Sequence, residues 1–192
     1  MSYRRLVGAV AWPTWTKRGI AIVAGQEHIE DKAVGKRHIF ILDEEQDQEV
    51  ENLYKKCLIL EAEHAPEFWF VNHNNQLIAI FEELNSKGKK RYQRTISLRQ
   101  PPEANQPGAL EMYAQLLRQC IKKEKKSLFF GNSSFIASEI MDLHREEITK
   151  ENTIDEYPAL AALGFILGEL DLRDRPKSKP FKRKRSRKAK VI

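Results

Sequence analysis

The order of strand-like and helix-like segments is the feature that most limits how this chain can fold. Three segments rich in apolar and β-branched residues come before any helical periodicity, at residues 4–12, 18–29 and 36–45. Short polar stretches separate them, as between the strands of β-hairpins. The sequence therefore predicts a sheet that starts with three strands joined by hairpins.

Helices and strands alternate after this start. The spacing predicts a helix at 47–65, a strand at 67–75, a helix at 76–88 that ends at Gly88, and a strand at 91–100. A helical crossover implies that the following strand lies parallel to a neighbour in the sheet. We therefore expect a mixed α/β sheet of about five strands flanked by helices on both faces. Further helices are predicted at residues 109–126, 134–148 and 156–172.

The positive charge of the chain is concentrated at its end. Residues 173–192 hold 11 Lys/Arg and one acid, which gives this segment a net charge of +10, whereas residues 1–172 carry −4. Such a segment cannot bury a core, so we expect one folded domain at 1–172 and a disordered basic tail at 173–192. A polyanion is its natural partner, and the densest run of phosphate-binding candidates is Lys182, Arg183, Lys184, Arg185, Arg187 and Lys188.

Composition argues against several classes of protein. Cys57 and Cys120 are the only cysteines, too few for a disulfide framework or a zinc-ligand pattern. No apolar run reaches the roughly 18 residues that a membrane helix needs. We therefore expect an intracellular, cytoplasmic protein with no membrane partner.

Four short stretches carry a resemblance to a known family: "VGAVAWPTWTKRGIAIVAG", "HIFILDEE", "EFWFVNHNNQLIAIFEEL" and "ENTIDEYPALAALGFIL". With the order of the elements, they resemble the ribonuclease-H-like fold, in the variant found in the nuclease domain of phage terminase large subunits. The resemblance implies a viral or prophage protein that acts in the host cell on nucleic acid, DNA rather than RNA. It also implies a role in DNA packaging or processing, alongside a viral packaging or assembly protein.

Such nucleases hold two Mg²⁺ or Mn²⁺ ions between carboxylates, because these ions prefer oxygen ligands. The resemblance implies one acid near Ala11 or Trp12, and here neither residue can bind a hard cation. It implies a second acid within 72–74, which reads Asn-His-Asn. The third is kept as Asp155, with Glu156 beside it. The sequence thus favours a protein without a cofactor that is not an enzyme.

Two interpretations of Asp155 stay open. As the N-cap of the last helix it would accept a backbone N–H, with Pro158 in the first turn, where no N–H is needed. As a metal ligand it would need partner acids, and an active site would then use Asp155, Glu156 and Asp43 in a rearranged arrangement. His73 is a further ligand or base candidate, although a hydrogen-bonded loop histidine is the commoner case.

Nucleic-acid contacts are also predicted outside the tail. In "WPTWTKRG", Trp12 and Trp15 have two interpretations: exposed tryptophans could stack on bases, whereas such residues more commonly fill a core or an interface. Lys17 and Arg18 could meet phosphates, or belong to a solvated hairpin turn. The acid-free segment 86–102 adds a basic cluster that contains Lys89, Lys90, Arg91 and Arg94.

These features favour a non-catalytic nucleic-acid-binding protein on a ribonuclease-H-like scaffold. The alternatives are a divalent-metal-dependent nuclease with a rearranged carboxylate site, and a structural or assembly protein that uses its basic tail.

Overall fold

The computed structural model describes residues 3–27, 38–92, 95–101, 104, 106–121, 128–131, 134–143, 148–149 and 151–172. Its strands are β1 (Tyr3–Ala11), β2 (Gly19–Glu27), β3 (His38–Asp47), β4 (Trp69–Val71), β5 (Leu98–Arg99) and β6 (Leu128–Phe129). Its helices are α1 (Val50–His64), α2 (Asn75–Tyr92), α3 (Ala109–Ile121), α4 (Phe135–Leu143) and α5 (Pro158–Leu172).

The strands form one sheet in the order β5-β4-β1-β2-β3-β6. β1, β2 and β3 are an antiparallel meander, as the three successive hairpin-like segments predict. β4 lies parallel to β1, and β5 lies parallel to β4. This is the strand order of the ribonuclease-H-like fold, so the predicted fold class is confirmed. β6 pairs with β3 at the other edge and was not predicted, because a strand of two residues carries no alternation to read.

Helices cover both faces of the sheet, as predicted. Alternate residues of β1 point to opposite sides, since successive strand residues face opposite ways. Val7, Ala9 and Ala11 belong to the core under α3, α4 and α5. Val10 and Trp12 belong to the core under α1 and α2.

α5 is buried along almost its whole length because it crosses the centre of the sheet. It packs on β1, β2, β4 and α3, and Phe165 meets Tyr113 edge-to-face at a centroid distance of 5.7 Å. Its apolar sequence shows little amphipathic character for the same reason: neighbours surround it. Near its end Glu169 accepts hydrogen bonds of 3.1 Å from Arg5, which lies in the first half of β1. α5 therefore begins beside the end of β1 and runs back toward its start.

Three predicted elements differ from the structure. The strand predicted at 67–75 is confined to Trp69–Val71. The prediction that Gly88 ends α2 is wrong: the helix continues to Tyr92, and buried Gly88 faces the Tyr54 hydroxyl so closely that a side chain would overlap it. The predicted strand at 91–100 is only two residues long. Before it, Ile96 exchanges hydrogen bonds with the side chain of Asn85 instead of with another strand. The predicted tail lies outside the described residues, so the boundary after residue 172 stays a prediction.

None of the helices in the described part of the chain is both long enough and apolar enough to cross a membrane.

Gly8 is required where β1 passes the indole of Trp69. A methyl group at Gly8 would overlap three atoms of this ring, which is fully buried and held by a 2.8 Å hydrogen bond from Nε1 to Glu61. We predict that Gly8→Ala lowers the free energy of unfolding by about 1–3 kcal/mol or more, as overpacking does. Urea denaturation measures it. Gly131→Ala is the matched control, since a methyl group there meets nothing within 4 Å. Equal effects of the two substitutions would contradict the packing described.

Candidate functional site

Three segments meet at one edge of the sheet, at the positions that the family resemblance implies. β1 and β4 are parallel neighbours with Val10 opposite Val71, so Trp12 and Asn72 follow side by side at the ends of these strands. The segment that leads into α5 brings Asp155 to the same place. The structure therefore gathers the first, second and third of the implied positions.

Asn72 connects these segments through hydrogen bonds. Its side-chain Nδ2 donates to Asp155 Oδ1 at 2.6 Å, and its Oδ1 accepts from the backbone N–H of Trp12 at 3.2 Å. Its backbone carbonyl accepts from the indole Nε1 of Trp12 at 3.0 Å. Asn72 is only 2% exposed, so its amide would lose water without replacement if these bonds were absent. We call these three residues the Asn72 network.

Trp12 is fixed in this network by its surroundings. Its side chain is 1% exposed and meets Phe81 edge-to-face, with ring centroids 5.4 Å apart. The residue that replaces the first acid of the family is thus a core residue of the α1–α2 face. Of the two interpretations of the "WPTW" tryptophans, Trp12 follows the core one.

Asp155 is not the N-cap that was predicted. It lies within a single 3-10 turn, Ile154–Glu156, and α5 starts only at Pro158, with the first helical bond from Ala161 N–H to the Tyr157 carbonyl. The extra turn frees the Asp155 carboxylate for Asn72. The prediction that Pro158 sits in the first turn of the last helix is confirmed.

Glu156 stabilises the turn that precedes α5. It forms a capping box with Thr153, whose backbone N–H donates to Oε1 at 3.1 Å. A second bond comes from Asn152 at 2.9 Å. These two bonds lower the pKa of Glu156 below its usual value, and the bond from Asn152 has the larger effect. Its carboxylate therefore closes the turn before α5 and does not join Asn72.

Asp43 lies elsewhere in the sheet. It is opposite Val23 of β2, and Val23 is opposite Gly8, well before the end of β1. Its Oδ2 is 3.3 Å from His64 Nε2 at the end of α1. With Glu63, these two side chains bring potential metal-ligand atoms within 4.8 Å of one another. The structure therefore does not bring Asp43 to Asp155.

Glu44 follows Asp43 but turns to the opposite face of the sheet. It accepts hydrogen bonds from Ser134 Oγ at 2.9 Å and Phe135 N at 2.6 Å, at the start of α4. Burial raises the pKa of Glu44 even though these bonds oppose the shift. Ser134 Oγ in turn accepts from Ala137 N–H and so caps this helix.

The Asn72 network does not fit a two-metal centre. Mg²⁺ and Mn²⁺ require several charged oxygen ligands. Trp12 directs N–H groups into the network, and the amide oxygen of Asn72 already accepts one of them. Only Asp155 brings a negative charge, and one of its oxygens is bonded to Asn72. The donors present stabilise one carboxylate without a cation.

The predicted nucleic-acid contacts fall in different places. Lys17 and Arg18 are exposed in the loop between β1 and β2, five and six residues after the network residue Trp12. His73 is exposed beside Asn72, with its Nδ1 2.8 Å from Gln100 Oε1. Lys89, Lys90 and Arg91 lie in the last part of α2, and Arg94 and the tail residues Lys182, Arg183, Lys184, Arg185, Arg187 and Lys188 lie outside the described residues.

Sequence reasoning missed the role of Asn72 and Trp12. Both were read as lost acids, whereas the structure makes them partners of each other and of Asp155. An asparagine that follows a fully apolar strand was the available signal, because a polar side chain buried at such a point requires a partner.

No family model and no curated protein matches the sequence. Among solved structures, the chain is similar to the yeast mitochondrial Holliday junction resolvase Ydc2, with 13% identity, a TM-score of 0.42, and coverage of 87% of this chain and 81% of that one. It is also similar to RuvC of Thermus thermophilus, with 13% identity, a TM-score of 0.40, and coverage of 85% and 94%. The strand order of the sheet, and not these similarities, identifies the fold.

Replacing the Asn72 amide with a carboxylate tests the network. In Asn72→Asp, a second carboxylate faces Asp155 where a donor now lies, so we predict a loss of about 2–4 kcal/mol in the free energy of unfolding at pH 7. Repulsion raises the pKa of the carboxylate pair in the folded state, so this state binds more protons than the unfolded one. Stability should therefore recover as the pH falls toward about 5.

The same variant should bind Mn²⁺ in calorimetry, whereas the unmodified chain should not bind it at this site. Asn74→Asp is the charge-matched control, because the side chain of Asn74 accepts the Leu77 N–H at the start of α2 and aspartate caps equally well. A pH-independent Asn72→Asp variant, or one as stable as the control, would refute the network.

Proposed function

We propose that this chain is a non-catalytic nucleic-acid-binding protein built on a ribonuclease-H-like scaffold, with DNA as its preferred ligand over RNA. The scaffold holds nucleic acid through basic residues and performs no metal-dependent cleavage. Two observations support the proposal. The Asn72 network has too few carboxylates for a two-metal site, and the positive charge of the sequence is concentrated after residue 172.

The observation that carries the proposal is the Asn72 network. At the edge where the family resemblance implies metal-binding carboxylates, the buried side-chain amide of Asn72 donates to Asp155 at 2.6 Å, and the Trp12 indole donates to the Asn72 backbone carbonyl. The Asn72 side chain, its backbone carbonyl and Asp155 Oδ1 have hydrogen-bond partners within the network, which therefore needs no metal ion to satisfy them. In this proposal the Asn72 network stabilises the fold, and surface residues bind the nucleic acid.

We assign most of the affinity to the tail. Eleven basic residues after Leu172 provide phosphate contacts that need no sequence order. In the sequence, residues 173–192 follow α5, whose last residue, Leu172, lies about 22 Å from the start of this helix. Glu169 near this end contacts Arg5 in the first half of β1, away from the Asn72 network. A segment of 20 residues can span about 65 Å when extended, so it can follow a duplex far beyond the domain.

The alternative of a rearranged nuclease site requires Asp155, Glu156 and Asp43 to converge. Glu156 is held in its capping box, and Asp43 contacts His64. No described contact favours this alternative. The viral setting, the role in DNA packaging or processing, and a viral assembly partner are carried by the sequence resemblance alone.

Removal of residues 173–192 tests the binding proposal. We predict that the truncated chain binds a labelled 30-base-pair duplex much more weakly in fluorescence anisotropy. Each lost phosphate contact should also flatten the slope of log K against log salt by about 0.9. A chain whose tail carries the same residues in scrambled order is the matched control and should keep both affinity and slope. Unchanged affinity after truncation would place the binding site in the domain.

Substitution of Asp155 tests the absence of catalysis. Asp155→Ala leaves the buried Asn72 donor without its acceptor, so we predict a loss of about 1–3 kcal/mol in the free energy of unfolding. Its duplex affinity should equal that of the intact chain, and neither protein should cleave plasmid DNA with Mn²⁺. The control is Glu151→Ala, which removes one exposed charge from a nearby turn. Manganese-dependent cleavage that Asp155→Ala abolishes would show that the chain is a nuclease.

A further inference from the structure

The loop between β1 and β2 carries an unusual residue at its tip. Trp15 is 100% exposed, whereas the other two tryptophans, Trp12 and Trp69, are at most 1% exposed. Full exposure of an indole gains nothing for folding, because the favourable contribution of such a side chain comes from its burial. Against the described part of the chain, Trp15 therefore gains no stabilisation from burial.

The loop is held in one shape and does not trail into solvent. Thr14 N–H donates to the Lys17 carbonyl at 2.9 Å, and Lys17 N–H donates to Thr14 Oγ1 at 3.1 Å. Gln48 at the end of β3 donates to the Thr14 carbonyl at 2.5 Å. Trp15 and Thr16 thus form the tip of a closed loop, and the indole is presented on a fixed support.

The charges around this tip suit a polyanion. Lys17 and Arg18 are exposed and follow Trp15 after one residue, and the first acid of the sequence is Glu27. The acids at the end of β3 already have a cation, since Lys56 Nζ lies 3.1 Å from Asp47 and 3.5 Å from Glu45. Glu139 of α4 is the acid that interacts with Lys17, and burial, the larger effect, raises the pKa of Glu139.

We propose that Trp15 stacks on an unpaired nucleobase while Lys17 and Arg18 contact the adjoining phosphates. This inference rests on the proposed function and specifies its ligand: nucleic acid with a single-stranded or unpaired segment. Every base has a π-face, so such stacking tolerates any sequence. In a continuous duplex these faces are covered by neighbouring bases. Trp15 therefore adds to the tail a contact that distinguishes unpaired from paired nucleic acid.

The test compares the full-length chain with Trp15→Ala on two labelled probes, a 20-nucleotide oligo-dT and a 20-base-pair duplex. Fluorescence anisotropy should show about 5- to 150-fold weaker binding of oligo-dT by Trp15→Ala, and less than twofold change on the duplex. Trp15→Phe, which keeps an aromatic face, should recover most of the lost affinity. Ile59→Ala is the control, because it removes another exposed apolar side chain, on α1.

Acrylamide quenching gives an independent readout, since Trp15 is the exposed tryptophan. In the intact chain, oligo-dT should protect its fluorescence and the duplex should not. Trp15→Ala binding oligo-dT as tightly as the intact chain would overturn the inference and leave the proposed function standing. So would equal losses on both probes. Failure of the intact chain to bind either probe would instead refute the proposed function, and with it this inference.

Discussion

A buried amide must replace every hydrogen bond that it gives up with water, and the architecture of this chain depends on how Asn72 does so. Its partners come from the end of β1 and from the turn before α5, segments that are far apart in the sequence. Asp155 is 83 residues from Asn72, and Trp12 is 60. Since an unpaired buried amide costs about 1–3 kcal/mol, the three segments are stable only together. The hydrogen bonds thus set where α5 begins over the sheet.

The same hydrogen bonds occupy the positions at which the family resemblance implies metal-binding carboxylates. A metal centre would use this edge to concentrate negative charge, whereas here one carboxylate accepts from the Asn72 side-chain amide. The backbone N–H of Trp12 donates to this amide, and the indole N–H donates to the Asn72 backbone carbonyl. The tryptophan also fills volume in the core under α1 and α2. Restoring an acid at Trp12 would therefore remove a packed aromatic residue as well as a hydrogen-bond donor. Trp12 therefore stabilises the fold both by packing and by hydrogen bonding.

The sequence predicts the sheet well because its signals are local. The apolar β-branched runs identify β1 to β3, and Pro158 marks the first turn of α5 through its own missing N–H. The prediction that Gly88 ends α2 was wrong because glycine has two common uses in helices. It can end a helix, or it can allow a close contact within one, here with Tyr54. β6 was missed because two residues show no alternation. Asn72 and Asp155 could not be paired from the sequence, since nothing local specifies a contact between residues so far apart.

Trp12 and Trp15 show how a hairpin assigns opposite roles to two similar residues. Trp12 directly follows β1, where its indole reaches the core and the Asn72 carbonyl. Trp15, three residues further along, lies beyond the edge of the sheet. The hydrogen bonds between Thr14 and Lys17 close the loop there and keep Trp15 away from the core. Trp15 is thereby held where none of the described residues covers it, close to the Asn72 network in the sequence but outside it. In the sequence, residues 173–192 follow the other end of α5, where Glu169 contacts Arg5 in the first half of β1. The proposed base contact of Trp15 and the proposed phosphate contacts of residues 173–192 therefore belong to segments that follow structure at opposite ends of β1.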